Sequence, residues 1–404
     1  MSSSADRGKG QALEGVRVID LGLLVQGPQA AQLLGDLGAD VIKVELPEMG
    51  DQSRWIPISL EDRRAPYFEG CNRGKRSLTL DLRNDAGREV FLKLVLTADV
   101  VISNFLPGTL EKWGIGYDVL ADRNPRLIVG SGSTFGPLGR DAGRKGADIA
   151  GQASGGLVRS TGTSSADMGP VGVTIADHIG SQNLANGVLA ALFARERTGR
   201  GQKVEVSLLG GQIFAQASEY SYAIMTGKTP GHANSGHPMI PMIYGLLPTK
   251  DGDIAIVGVR IPERPAFFET VGRPELQENA DYMSLLLSPE QRIALFSELA
   301  PTFREKTTAE WESILEKAGF RYAAVRTPVE VLSDEAVYEN GYLQRVEHPQ
   351  WGAVSAVGSP IRLSDTPARP GEAAPELGQH TEEVLLEIGY EWEEIAALRE
   401  KGAL

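Results

Sequence analysis

The segment Thr174-Ile-Ala-Asp177-His178-Ile-Gly180 sets a carboxylate at the start of a helical pattern. Apolar residues recur at Leu184, Val188 and Leu192, and at Ala185, Leu189 and Phe193, which is helical spacing. Arg195-Glu196-Arg197 and Gly199 supply the cations and the glycine that close a helix. Asp177 therefore falls in the first turn, where unpaired backbone N–H groups and the helix dipole favour a carboxylate. Two readings follow. Thr174-x-x-Asp177 fits a capping box, and the same carboxylate fits a nucleophile anchored on a rigid helix start and facing a cleft. His178 points about 100° away from its neighbour on a helix, so the two do not form a dyad.

Other residues could serve such chemistry. Arg73-Gly74-Lys75-Arg76 is a basic cluster on a glycine-bearing turn. Lys112, Arg140, Arg144 and Lys145 can join it through folding. Converging guanidinium and ammonium groups bind phosphate, and solvated surface charge is the simpler reading of the same residues. Asn104-Phe105-x-Pro107-Gly108 follows a short strand, and ligands of open α/β sheets gather outside the carboxyl ends of strands. On spacing alone, a plain turn with a buried aromatic is the favoured reading. Glycines at 130, 132, 136 and 139 suit a loop close to a ligand, or an ordinary surface loop. His232, His237, His348 and His380 lack metal-ligand spacing, so no metal site is expected.

These residues need a scaffold, and the 404-residue chain has one to offer. Arg17–Leu21, Asp40–Glu45, Ser77–Leu82, Val100–Ile102, Leu127–Gly130 and Lys203–Ser207 read as strands. Helical patterns from Pro28 and from Ala86, and the one carrying Asp177, alternate with them. That alternation predicts an α/β doubly wound, Rossmann-like sheet. Glu45 closes the second strand as a ribose-binding acid would, but Gly22-Leu-Leu-Val-Gln-Gly27 lacks G-x-G-x-x-G. A nicotinamide site is disfavoured. Breakers at Gly227–Pro238 mark a composition shift. The expected domains are 1–220 for the first part of a large domain, 221–330 for a small α+β domain, and 331–404 for a returning segment. Net charge is −13, which argues against nucleic-acid or acidic-membrane partners. Cys71 is the single cysteine, so no intrachain disulfide forms. The polar opening has no apolar signal core, and no apolar run approaches the ~18 residues of a membrane span. A cytoplasmic protein is expected.

Taken in order, several stretches resemble the class III CoA-transferases, the family of formyl-CoA transferase and carnitine CoA-transferase. They include Leu13–Leu21, Gln32–Glu45, Asn72–Leu82, Ala98–Phe105, Ala176-Asp177, Thr198–Leu208 and Leu377–Leu385. The resemblance covers nearly the whole chain and implies that Asp177 is the nucleophile. Its carboxylate attacks the donor thioester to give a mixed anhydride and CoA thiolate. The thiolate then forms an aspartyl-CoA thioester, and an acceptor acid collects the CoA. The resemblance further implies a CoA-phosphate site at Arg73, Lys75 and Arg76, with Lys145 a basic residue near the nucleotide; Lys112 stays a candidate from the residues alone. Asn104 and Phe105 would line the CoA channel. CoA thioester is then substrate, with no permanently bound cofactor, and the protein is an interlocked homodimer.

The turn before the first helix departs from formyl-CoA transferase. Its His-Val-Gln-Ala reads Leu-Leu-Val-Gln here, so Val25 stands at the glutamine position and Gln26 is displaced by one. Formate or oxalate specificity is not expected. The acceptor pocket should draw on Val25, Gln26, Gly136 and Met239, favouring a succinyl-CoA-type donor with a branched or aromatic acceptor. The α-methylacyl-CoA racemases carry a histidine where Ala147 stands, and alanine cannot move a proton. A silent subunit of a hetero-oligomer is the other alternative, and retention of Asp177 argues against it.

Overall fold

The computed structural model describes residues 10–233, 236–371 and 373–404. The polar opening 1–9, and residues 234–235 of the connector, lie outside the described residues. The chain forms two compact units. The larger comprises the chain up to Gly155, Val173–Ala215 and Asp334–Leu404; the smaller comprises Gly156–Gly172 and Gln216–Ser333.

In the larger unit, β1 (Arg17–Asp20), β2 (Asp40–Glu45), β3 (Arg76–Thr79), β4 (Val100–Ser103), β5 (Ile128–Ser133) and β6 (Lys203–Ser207) form one sheet. Its order is β3-β2-β1-β4-β5-β6 and every pair is parallel. The apolar strands β1, β2, β4 and β5 are buried on both faces, as parallel sheets require, while β6 at the sheet edge is partly exposed. Val18, Val41, Val100 and Ile128 pack on one face with the Gln26–Asp36 and Ile175–Thr198 helices. Ile19, Ile42, Val101 and Val129, one residue on, pack on the other with Asp85–Val95 and the C-terminal helices. The C-terminal segment also closes the β3 edge. His380 Nδ1 accepts from Ser77 N at 3.1 Å and Thr381 Oγ1 from Thr79 N at 3.1 Å. Strand order reverses between β1 and β4, and the crevice outside the carboxyl ends at such a reversal is where α/β sheets bind ligands.

The expected strand at Ser77–Leu82 ends early, at Thr79, because the chain peels off to cap the Asp85–Val95 helix through Asn84. The smaller unit carries an antiparallel sheet of β7 (Ile243–Pro248), β8 (Asp253–Val259) and β9 (Tyr322–Ala324). Ser288 and Thr307 open its helices Pro289–Phe303 and Thr308–Ala318 with capping boxes. Phe303 stacks on Trp311 at 4.3 Å in its core. A hairpin of β10 (Leu343–His348) and β11 (Gly352–Val357) belongs to the larger unit. Among the described residues no helix is long and apolar enough to cross a membrane.

Candidate active site

Asp177 stands in the first turn of the Ile175–Thr198 helix, and Thr174 makes no side-chain cap there. The capping-box reading fails because Thr174 Oγ1 turns to His178 Nε2 at 3.2 Å. The cap comes from elsewhere: Asp148 Oδ1 accepts from the N–H groups of Ala176 at 2.8 Å and Asp177 at 3.2 Å. The orphan donors of the helix start are thus satisfied without the Asp177 carboxylate. Among the described residues that carboxylate has no hydrogen-bond or ion-pair partner. Burial, and then the negative charge of Asp148, raise it from 3.8 to about 7. His178 is turned away, its Nδ1 2.7 Å from Gln29 Oε1, and burial lowers its pKa. It is a neutral, committed side chain, in agreement with the absence of a dyad.

The turn between β1 and the Gln26–Asp36 helix lies against this helix start. Ser181 Oγ, one turn after Asp177, donates to Val25 O at 3.4 Å. Side chains hold the turn's backbone residue by residue. Gly22 N donates to Asp20 at 2.8 Å, Gly22 O accepts from Lys43 Nζ at 2.8 Å, and Leu24 N donates to Asp51 at 3.0 Å. Asn104, at the end of β4, clamps Leu23 twice: its Oδ1 accepts from Leu23 N and its Nδ2 donates to Leu23 O, both at 2.8 Å. The clamp fixes Leu24 at φ +64°, a conformation that costs a non-glycine residue about 1 kcal/mol or more. Val25 and Gln26 are consequently delivered inward, 2% and 3% exposed.

Gln26 occupies a slot with glycine walls. A Cβ on Gly132 would sit 2.4 Å from its Oε1, and a Cβ on Gly180 would sit 2.7 Å from its Nε2. Gly180 lies three residues after Asp177, on the same helix face. Among the described residues Gln26 Nε2 has no partner.

The basic cluster of the sequence is interior. Arg73 holds Asp36 through two bonds, the longer 2.7 Å, and donates from Nε to Val357 O at 2.7 Å. Lys75 Nζ meets Asp20, Asn72 Oδ1 and Pro28 O, each at 2.7 Å, which uses all three ammonium protons. Arg76 pairs with Asp40, Glu383 and Glu387. At 3–5% exposure these three charges are matched inside the chain. Lys43 joins them: burial opposes its charge, but Asp20, Asp51 and Glu45 together hold it protonated. Lys75 thus braces the turn through Asp20 and Pro28 O, whereas Arg73 and Arg76 tie the end of the first helix and the start of β2 to the chain around them. Lys112 and Lys145 are exposed.

Asn104 and Phe105 follow β4 as anticipated. Phe105 meets Trp113 edge to face at 5.3 Å. A cavity of about 300 Å³ opens there, lined by Ser103, Phe105, Ser131, Ser133 and Lys203 among others. Gly136, at φ +95°, turns the loop after β5 with its N–H on Ser133 Oγ at 3.1 Å. Met239 belongs to the smaller unit, where its N–H meets His237 Nδ1 at 3.2 Å. Among the described residues no cluster of His, Cys, Asp and Glu could hold a metal ion.

Residues 13–381 match the family described as CoA-transferase family III. The chain belongs to that family. Over 392 residues it is 36% identical to the succinyl-CoA:mesaconate CoA-transferase of Haloarcula hispanica, covering 94% of this chain and 96% of that one. It is 31% identical to the formyl-CoA:oxalate CoA-transferase of Streptomyces coelicolor, over 98% and 99% of the two chains. Its fold matches the crystal structure of a CaiB/BaiF family protein from Brucella suis with a TM-score of 0.84 at 31% identity, covering 94% and 100%. This family III CoA-transferase is thus an enzyme acting on acyl-CoA and carboxylate. Asp148, Lys43 and Asp51 escaped the sequence reading: they act on backbone groups of distant segments, and no spacing rule registers that.

Proposed function

We propose that Asp177 carries the CoA transfer covalently. A carboxylate oxygen attacks the thioester carbonyl of the donor, forming a mixed anhydride and releasing CoA thiolate. The thiolate attacks the Asp177 acyl carbon, giving an aspartyl-CoA thioester and freeing the donor acid. The acceptor carboxylate attacks that thioester, and the returning thiolate takes the new acyl group and restores Asp177. One exchange between poorly reactive carboxylates is split into easier steps. The observation that carries this reading is the unpartnered Asp177 carboxylate on a helix start that another residue caps.

CoA then lies along Asn104 and Phe105, with Lys112 and Lys145 as the exposed cations for its phosphates. Val25, Gln26 and Gly136 bound the acyl group. The buried Val25 supports a partly apolar, branched acceptor, and succinyl-CoA as donor is supported by the named activity of the Haloarcula relative. The protein works as an interlocked homodimer, a reading supported by the exposed Phe193 and Phe214 of the larger unit. A panel of carboxylic acids against succinyl-, formyl- and acetyl-CoA, read by chromatography of the CoA esters, tests the reading. Succinyl-CoA with branched acids should be productive; efficient use of formate or oxalate, with bulkier acids inert, would refute the pocket assignment.

A further inference from the structure

Asp148 makes an arrangement that capping alone does not require. A serine or asparagine would satisfy the helix start at no electrostatic cost, yet a carboxylate is set against the segment that carries a second, unpaired carboxylate. Its placement is tightly built. Asp148 Oδ2 accepts from Gln152 Nε2 at 2.6 Å, and that amide also donates to Val173 O at 3.2 Å. Gly151, on the same short helix, lies so close to the nucleophile helix that a Cβ would sit 3.0 Å from Ala176 Cβ and 2.7 Å from Leu208 Cβ. Asp148 therefore cannot swing away from the first turn.

Among the described residues nothing of opposite charge relieves the pair. The elements packed on the nucleophile helix are the Gln26–Asp36, Asp148–Ser154 and Leu208–Ala215 helices with β5 and β6. The first faces it with Gln26 and Gln29, and its Asp36 is spent on Arg73. Leu208–Ala215 and β5 carry no ionisable side chain, and in β6 Lys203 and Glu205 pair with each other at 2.8 Å. His178 is neutral. Cys71 from the Pro66–Asn72 helix is a buried thiol, pushed up to about 11.

We infer that Asp148 is a positioning residue whose negative charge drives Asp177 into its covalent intermediates. Free Asp177 is an anion beside an anion. In the mixed anhydride and in the aspartyl-CoA thioester the same position is neutral, so each acylation relieves the repulsion and each release restores it. The cap meanwhile holds the nucleophile's backbone still, so no reorganisation offsets the gain. The raised Asp177 carboxyl, for which Asp148 is the second cause after burial, agrees with this placement.

This inference rests on Asp177 being the nucleophile, and the test separates the two. Enzyme equilibrated with succinyl-CoA and succinate is quenched with hydroxylamine, and the fraction of Asp177 converted to hydroxamate is read by peptide mass spectrometry. Asp148→Asn keeps a capping oxygen and removes the charge. Its adduct fraction should fall about tenfold, the change expected for about 1.4 kcal/mol. The acid limb of its kcat/KM profile should move down by about one pH unit, with the donor KM changed less than twofold. A purely structural cap moves neither the limb nor the adduct at constant fold. Wild-type adduct fraction and limb in Asp148→Asn would overturn the inference while leaving Asp177 intact; absence of any wild-type adduct would overturn the Asp177 reading itself. Should Asp148→Asn not fold by circular dichroism, Asp148→Ser, a second neutral cap, replaces it. Misfolding of both would overturn the inference by making the charge a folding requirement.

Discussion

Replacing Asp177 should make the protein more stable. Asp177 ionises near 3.8 in the unfolded chain and at about 7 in the folded one, so over that interval the native state keeps a proton that the unfolded chain releases. The resulting advantage is full below 3.8 and is lost as pH rises through about 7. Above that, the ionised carboxylate costs the fold about 3 pH units at about 1.4 kcal/mol each, a ceiling of about 4 kcal/mol; water penetration and relaxation bring the expected value to about 2–4 kcal/mol. Asp177→Asn, isosteric and neutral, removes that cost. At about 2–4 °C per kcal/mol for a unit of this size, its Tm at pH 8 should rise by at least about 4 °C, while CoA exchange is lost. Linkage also fixes the pH dependence: the gain should shrink by more than half by pH 5. Differential scanning fluorimetry of both proteins at the two pH values is sufficient. A variant no more stable than wild type at pH 8, or a gain undiminished at pH 5, would refute the electrostatic argument.

Gly132→Ala would place a methyl 2.4 Å from Gln26 Oε1, forcing the amide from its slot; overpacking of this kind costs about 1–3 kcal/mol, and acceptor kcat/KM should fall at least about tenfold in steady-state assays with the donor KM little changed. Lys43→Met leaves Asp51 buried without its cation, while Asp20 keeps Lys75, so it should destabilise the fold by about 3–5 kcal/mol, read as an early denaturant midpoint. Neutralising Lys112 and Lys145 together should raise the CoA-ester KM at low ionic strength, with a smaller effect at high salt because screening already weakens the attraction; an unchanged KM at low salt would locate the phosphates elsewhere.

The scaffold was largely legible because its signals are local. Apolar strand runs alternating with helical periodicity specify a parallel sheet, and the cations and glycine after Ala194 close the Ile175–Thr198 helix where expected. Three-residue β9 carries too few residues for a pattern. At the site, Asp177 was legible as a carboxylate on a helix start, but spacing alone favoured capping, and only the family resemblance turned the reading to a nucleophile. The cap itself comes from Asp148, which reaches Ala176 and Asp177 across a connection that no spacing rule describes. The basic cluster illustrates the converse. Arg73-Gly-Lys75-Arg76 reads as solvated charge or a phosphate cradle, since a sequence shows cations without their partners. The partners come from Asp20, Asp36 and Asp40 near the start of the chain and Glu383 and Glu387 near its end. Asn104 likewise was placed at the right strand end, while its clamp on Leu23 depends on a turn 81 positions away.

The central claim is that CoA passes through Asp177, and trapping that residue tests it most directly. Enzyme mixed with succinyl-CoA, without acceptor, is quenched in hydroxylamine, digested and sequenced by mass spectrometry. An aspartyl hydroxamate at Asp177, dependent on succinyl-CoA and absent from Asp177→Asn, is the predicted result. Full turnover with Asp177 unmodified, or with the label on another carboxylate, would contradict the account.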